Sequence, residues 1–322
     1  MTQVSSRRFI LVGDNSPARR LHESFQQFAP IGWEWLGAVS DDPASADLGG
    51  RLGPTSDLAA IVSRHGPTDL VLAIQSPTLT LWQTILRLPG DEVRLTNVRT
   101  LHEELTHRVQ VVGDNDALET ALDRLAQRGL GAGAVKRVLD LVTGACAFAA
   151  FTVALFPVAL GLTLERAGSV FVRERRIGRR GQPFTLFRFR TARSGDGGQR
   201  WPLADVPAPI RTGVFIRRLG IDRLPQSIAL LAGHLSLVGP RPAEFEYQQL
   251  VQREFPAFLA RTAVKPGLLG WEQLHRESRS ASDMIRQLEY DLYYVRHQSL
   301  GLDLRIILRN ILAIFGLRNL FN

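Results

Sequence analysis

This sequence has a single cysteine, Cys146, in 322 residues, so no internal disulfide can form and the chain suits a reducing compartment. Cys146 lies in the most apolar stretch and is expected to be a small buried hydrophobe rather than a reactive thiol. No Cys/His spacing fits a zinc site. Met1 to Arg8 is polar and no apolar core of signal-peptide type follows it, so the first domain is expected to stay on the side where it is made. Lysine is scarce as well. Arginine supplies nearly all of the 39 basic residues, which suits planar, two-pronged phosphate contacts and suits a high-GC genome equally well.

What is present is basic and well supplied with core material. The formal net charge is +8, and hydrophobic residues make up 45% of the chain. The length accommodates two ordinary domains. The charge calls for a polyanionic partner: nucleic acid, an anionic membrane face, or a phosphorylated substrate.

The first third alternates strand and helix patterns. Arg8 to Gly13 reads as a short apolar strand, and Ser16 to Phe28 has helical spacing with Leu21, Phe25 and Phe28 on one face. Further strands are expected at Trp35–Val39, Asp69–Ile74 and Glu92–Val98, with helices at 57–64 and 79–88. Such alternation implies a parallel sheet, hence an α/β, doubly wound, Rossmann-like domain over about residues 1–125. Its phosphate-loop signal is poor. Gly13 is followed by Asp14-Asn15-Ser16-Pro17 with no second or third glycine, and Asp14 would oppose a pyrophosphate at the helix N-terminus. A structural or regulatory module is expected there.

Residues 126–134, rich in glycine and alanine, read as a linker. From Leu141 to Leu164 there follow 24 residues without a charge, enough to cross a ~30 Å hydrocarbon core. Pro157 interrupts this segment, and arginines or lysines flank it on both sides: Arg128, Lys136 and Arg137 before, Arg166 to Arg180 after. A straight span would place one basic flank on the wrong side of the membrane. A helix over about 138–164 that enters, kinks at Pro157 and returns keeps both inside, provided its backbone break is covered.

The next segment, Val170 to Ala192, reads as strand, basic turn and strand. Its arginines form a cationic surface that can serve anionic lipid or a substrate diphosphate. Several motifs then follow in order: Arg188-Phe189-Arg190-Thr191, Ile221-Asp222-Arg223-Leu224-Pro225-Gln226, Ser236 to Pro242 (SLVGPRP), Val264 to Gln273 (VKPGLLGWEQ) and Glu289 to Val295 (EYDLYYV). Together with Lys136-Arg137-x-x-Asp140, they closely resemble the monotopic bacterial sugar transferases, the phosphoglycosyl transferases that start glycan assembly on a lipid carrier. The resemblance covers about residues 135–322. Large-type members carry a Rossmann-like domain upstream and usually four membrane helices before it, which this chain is expected to do without.

The resemblance implies a membrane-embedded α/β catalytic domain at the cytoplasmic face of a bacterial inner membrane. It implies transfer of a sugar-1-phosphate from a UDP-sugar to undecaprenyl phosphate through a covalent aspartyl intermediate, priming exopolysaccharide or glycan assembly. Asp222 takes the place of the nucleophile, with magnesium beside it. Arg188, Arg190, Arg241 and Lys265 are phosphate-binding candidates. Expected partners are the UDP-sugar, undecaprenyl phosphate and inner-membrane lipids, with a homodimer left open. Nucleic acid is not expected, because the charge gathers beside an apolar segment.

One departure matters. Where the family has glutamate after the aspartate, this sequence has Arg223, which can hold Asp222 ionised, compensate diphosphate charge, or pair with Asp222 and quench it. Glu244 and Glu246 are candidate replacements for the lost carboxylate. The alternative expectation is a catalytically impaired member acting as an assembly or regulatory partner. His234, His275 and His297 read as ordinary surface or satisfied residues. Trp271 suits either core packing or the membrane interface. The C-terminal stretch Asp303–Phe321 suits a helix at the membrane surface.

Overall fold

In the computed structural model, which describes residues 7–42, 47–74, 81, 83–85, 93–111, 118–121, 130–193, 209–275 and 283–314, the first apolar run forms β1, Arg7–Val12. It pairs in parallel with β2 (Trp33–Val39) and β4 (Asp69–Leu72); β3 (Arg51–Gly53) and β5 (Arg94–Asn97) complete a sheet of order β3-β2-β1-β4-β5. Successive side chains alternate faces. Phe9 and Leu11 therefore pack with Ala18, Leu21 and Phe25 of α1 (Ser16–Phe28) and with Val98 and Leu101 of α3 (Val98–Thr106). Ile10 and Val12 face the other layer, with Leu58, Ile61 and Val62 of α2 (Leu58–His65). The helix expected at 79–88 lies mostly outside the described residues, although Leu81 and Ile85 pack in this second layer. Two elements escaped the sequence reading: three-residue β3, too short for a pattern, and α3, whose cap Asn97 accepts from Arg99 N.

The turn after β1 is closed from within. Gly13 has φ +108°, and a Cβ there would stand 2.6 Å from the Ala73 carbonyl. Asn15 caps α1, accepting from Ala18 N at 3.0 Å and donating to Ala73 O at 2.6 Å. Asp14 pairs with Arg19.

The chain divides into two compact units, Met1–Val112 and Gly113–Asn322. The second begins, among the elements described, with α4, Leu130–Leu164. Its 35 residues span roughly 52 Å at helical rise. Residues 130–134 of the expected linker form its start; 126–129 lie outside the described residues. The helix continues through Pro157 without a break in its assignment. It is apolar and long enough to cross a membrane, and much of its surface has no protein cover: Val153, Phe156 and Leu164 are each about three-quarters exposed. Cys146 is exposed on it too, which corrects the expectation of a buried thiol. High hydropathy marked α4 as averse to water, but protein covers only part of the helix.

After α4 come the hairpin β6 (Phe171–Ile177) and β7 (Pro183–Phe189), α5 (Arg211–Arg218), a 3-10 turn at Ile221–Gln226, and α6 (Ser227–Ala232). Strand β8 (Ser236–Val238) pairs in parallel with β9 (Gly267–Leu269). Between and after them lie α7 (Phe245–Glu254), a 3-10 segment Pro256–Ala263, α8 (Asp283–His297) and α9 (Leu300–Ile314). Trp271 is buried, stacked on Tyr293 and beside His275, so it packs the core. Helix α9 buries Asp303 and Ile306 while Leu304, Leu308 and Ile311, at helical spacing, stay exposed.

The Lys136-Arg137-x-x-Asp140 motif ties the start of α4 to this unit. Lys136 Nζ donates to Asp303 Oδ2 (2.6 Å), the Val238 carbonyl (2.9 Å) and Tyr294 Oη (3.1 Å). Arg137 donates to the carbonyls of Leu230 and Leu231. Asp140, itself buried, accepts from Ser236 Oγ and Leu237 N. Removing one partner of a buried pair strands the other charge. Lys136→Met is therefore expected to lower the unfolding free energy of the second unit by roughly 3 kcal/mol in chemical denaturation. Asp303→Asn added to it should recover part of that loss, because the two sites couple.

Candidate active site

The site is built on the period of two in the β6–β7 hairpin. Val172 opposes Arg188, Glu174 opposes Leu186 and Arg176 opposes Phe184, so Glu174, Arg176, Leu186 and Arg188 share one face. These four side chains line a pocket with Arg223, Gln226, Arg241 and Gln273. Asp222 sits immediately behind it, buried in the 3-10 turn that starts after Gly220, a left-handed glycine (φ +72°), and that contains Pro225.

A chain of alternating charges joins these residues. Arg188 Nη2 donates to Asp222 Oδ2 at 2.6 Å, and its Nη1 reaches Glu174 Oε1 at 3.4 Å. Arg176 donates to Glu174 Oε2 through Nε (3.1 Å) and Nη2 (2.6 Å), to Glu244 Oε1 (3.1 Å), and to the Pro242 carbonyl (3.1 Å). Burial by itself would lower the pKa of the Arg188 guanidinium, but Glu174 and Asp222 outweigh it and hold it raised. Two atoms remain open. Arg188 Nε is buried without a hydrogen-bond partner among the described residues. Asp222 spends only Oδ2 on Arg188.

The loop carrying Arg241 is fixed from two sides. Prolines 240 and 242 restrict its backbone. Ile177 N donates to the Ala243 carbonyl at 3.0 Å on the hairpin side. On the other side Arg261 Nη2 donates to the Arg241 carbonyl at 2.6 Å. Arg261 also stands 2.7 Å from Asp291 Oδ2, out of line for a hydrogen bond, so neither Asp291 oxygen accepts one among the described residues. Burial pushes the Asp291 carboxyl up to about 7, against the pull of Arg261. Below the pocket, β9 runs so close to the Pro-Arg-Pro loop that a Cβ on Gly267 would overlap Gly239 N.

Among the residues expected at the site, Arg188, Arg223 and Arg241 come together beside Asp222. Arg223 is exposed and makes no hydrogen bond or ion pair with Asp222; the partner of Asp222 is Arg188. Arg190 lies elsewhere: β7 ends at Phe189, and Arg190 turns to Ser169, donating to its carbonyl and hydroxyl. Lys265 does not line the pocket; its side chain is half-buried, and burial first, then Arg137, lowers its pKa. Glu244 enters the charge chain through Arg176, whereas Glu246 is exposed on α7. Glu174, Arg176, Gln226 and Gln273 were missed. The available signal was the lone acid within the arginine run and its alternation with Leu186 and Arg188 across the hairpin.

The carboxylates near the pocket are poorly placed for a divalent metal. Both oxygens of Glu174 face arginines, and Arg188 holds Asp222 Oδ2. No cluster of three or more His, Cys, Asp or Glu among the described residues could hold an ion. The donor set is dominated by guanidiniums, which have no lone pair to offer a cation.

Comparison with known proteins agrees with this geography. The family description Bacterial sugar transferase matches residues 131–316. A protein of Aeromonas hydrophila named UDP-N-acetylgalactosamine-undecaprenyl-phosphate N-acetylgalactosaminephosphotransferase is 30% identical over 251 residues, covering 74% of this chain and 57% of that protein. A UDP-glucose:undecaprenyl-phosphate glucose-1-phosphate transferase of Xanthomonas campestris pv. campestris is 32% identical over 56% of this chain and 39% of its own length. One of the same name from Escherichia coli (strain K12) is 27% identical over 94% and 66%. The chain thus spans between 39% and 66% of the length of these relatives.

The Asp291 carboxyl yields a pH test. A folded-state value of about 7, above the ordinary 3.8, means the folded protein holds this proton more tightly than the unfolded chain does. Its contribution to stability is full below pH ~4 and is lost as pH rises to about 7. The stability of wild type minus that of Asp291→Asn should therefore fall by a few kcal/mol across that window in urea titrations. Parallel curves would show that Asp291 does not titrate there.

Proposed function

This chain belongs to the bacterial sugar transferase family, and on that premise we propose that it transfers a sugar-1-phosphate from a UDP-sugar to undecaprenyl phosphate. The observation that carries the reading is a buried carboxylate, Asp222, held through one oxygen by Arg188 at the edge of an arginine-lined pocket. The names of the three relatives each specify a UDP-sugar and undecaprenyl phosphate, which supports the same substrate classes here.

In the proposed reaction the free Oδ1 of Asp222 attacks the β-phosphorus of the UDP-sugar. The bond from that phosphorus to the bridging oxygen breaks, its electron pair leaves on UMP, and an aspartyl-phosphate carrying the sugar forms. A phosphate oxygen of the polyprenyl phosphate then attacks the same phosphorus, and the bond between that phosphorus and the aspartate oxygen breaks, its electron pair returning to the carboxylate. Arg188 orients Asp222, while its open Nε, Arg223 and Arg241 supply donors for the diphosphate oxygens. The Met1–Val112 unit, with its doubly wound strand order, acts in this proposal as a Rossmann-like structural or regulatory module.

We further propose a monotopic arrangement at the cytoplasmic face of the inner membrane. Lys136, near the start of α4, and Glu165, just past its end, both bond within the Gly113–Asn322 unit, Glu165 accepting from Arg211 N, Thr212 N and Thr212 Oγ1. A straight crossing would separate these anchors by the ~30 Å hydrocarbon core. A helix that dips in near Pro157 and leaves by the same face keeps both anchors made.

Asp222→Asn is expected to reduce UMP release at least ~1000-fold and to abolish the covalent sugar-phosphate adduct seen by intact-protein mass spectrometry. An adduct on the variant would move the nucleophile elsewhere. Failure of wild type to release UMP from any donor would leave a binding or assembly partner in place of an enzyme. In a Cys146→Ser background, single cysteines placed within 128–136 and within 166–180 should label both flanks from the cytoplasmic side alone. Labelling of one flank only from the opposite side would replace the re-entrant course with a span.

A further inference from the structure

The pocket beside Asp222 is lined by four guanidiniums, Arg176, Arg188, Arg223 and Arg241, and by one carboxylate, Glu174. Adding Asp222 and Glu244, which stand behind Arg188 and Arg176, still leaves the group positive. A magnesium ion seeks oxygen ligands in an octahedral shell, usually one or two carboxylates plus substrate phosphates. Here both oxygens of Glu174 and Oδ2 of Asp222 already serve arginines, and the remaining Asp222 oxygen is the attacking atom in the proposed reaction. Arg176 and Arg188 in turn are occupied with carboxylates, and the Arg241 loop is pinned. Arg223 differs from them. It is exposed and lines the pocket; its backbone N–H donates to the Gly220 carbonyl, but its side chain has no hydrogen bond or ion pair among the described residues.

We infer that Arg223 neutralises the substrate diphosphate in this chain in place of a divalent cation, so that donor binding and sugar-phosphate transfer need no magnesium. The inference rests on the phosphotransfer reading above. A guanidinium and a metal ion answer the same electrostatic demand, negative charge gathering on the phosphate oxygens as the bond to UMP breaks. Two donors in a planar fork suit two oxygens of a diphosphate, and the charge of arginine does not depend on ambient metal. A cation brought among four guanidiniums would meet like charge, whereas an anionic diphosphate meets the opposite.

The test uses the full-length protein in lipid nanodiscs, with UDP as the binding probe and Mn²⁺ as the metal probe. In titration calorimetry the wild-type affinity for UDP should agree within roughly twofold between EDTA and millimolar Mg²⁺. Electron paramagnetic resonance should show no Mn²⁺ held by wild type with UDP present. Arg223→Glu, at an exposed position whose side chain has no hydrogen bond or ion pair to lose among the described residues, should bind UDP at least tenfold more weakly in EDTA, recover that loss with Mg²⁺, and hold Mn²⁺. Arg223→Gln should show the loss without the recovery. Where UMP release is measurable, EDTA should leave the wild-type rate unchanged and should stop Arg223→Glu. A wild type whose UDP binding weakens tenfold in EDTA, or which holds Mn²⁺ with UDP, overturns the inference. Those two readings stand even if no donor is turned over, an outcome that would sink only the enzymatic reading.

Discussion

The second unit is organised around one chain of alternating charges: Asp222 to Arg188, Arg188 to Glu174, Glu174 to Arg176, and Arg176 to Glu244. Its members are mostly buried or half-buried, where an unpaired charge costs several kcal/mol, so each holds its neighbour in place. The chain links the 3-10 turn, both strands of the hairpin and the start of α7. It is also what leaves Asp222 with one oxygen committed and one free. A carboxylate held through a single oxygen keeps its orientation while its other oxygen is left unpaired among the described residues. The remaining features, from the prolines around Arg241 to the Arg261 grip on that loop, position guanidiniums about this axis.

A second network does comparable work at the base of α4. Lys136, Tyr294, Asp303 and the Val238 carbonyl bring together segments more than 150 residues apart in sequence. The helix presents an apolar surface that the described protein does not cover, while the polar residues at its ends are spent on the unit it anchors. Hydropathy therefore acts in the middle of the helix and hydrogen bonding at its ends. Both lysines of the chain bear on this region: Lys136 makes the anchor, and Lys265 lies within electrostatic reach of Arg137 and Asp140.

Much of the parallel sheet was legible, because its strands are apolar runs of period two between helices of period 3.6, as β1 and α1 illustrate. Element β3 was not, since three residues carry no period, and Cys146 misled because apolar sequence does not say whether protein covers it. At the site, Asp222, Arg188 and Arg241 were singled out by their motifs, and the fold brings them together. Arg190 and Glu246 do not line the pocket, for geometric reasons. Two residues along a strand share a face only while the strand continues, and β7 stops at Phe189. Glu244 and Glu246 are two residues apart, and a helix turns by about 100° per residue, which sends them to different sides.

Alone, the sequence determined the alternation of elements, the single long apolar segment, the surplus of arginine and the motif that carries Asp222, because periodicity, hydropathy and motif are properties of neighbours along the chain. Only the tertiary structure decided that Arg188 rather than Arg223 holds Asp222, that Glu174 bridges two arginines, and that the Arg223 side chain lines the pocket without a hydrogen bond or ion pair among the described residues. The Glu174–Arg188 and Arg188–Asp222 pairings join residues 14 and 34 positions apart. Strand register and helix rotation choose them, and composition carries no record of either.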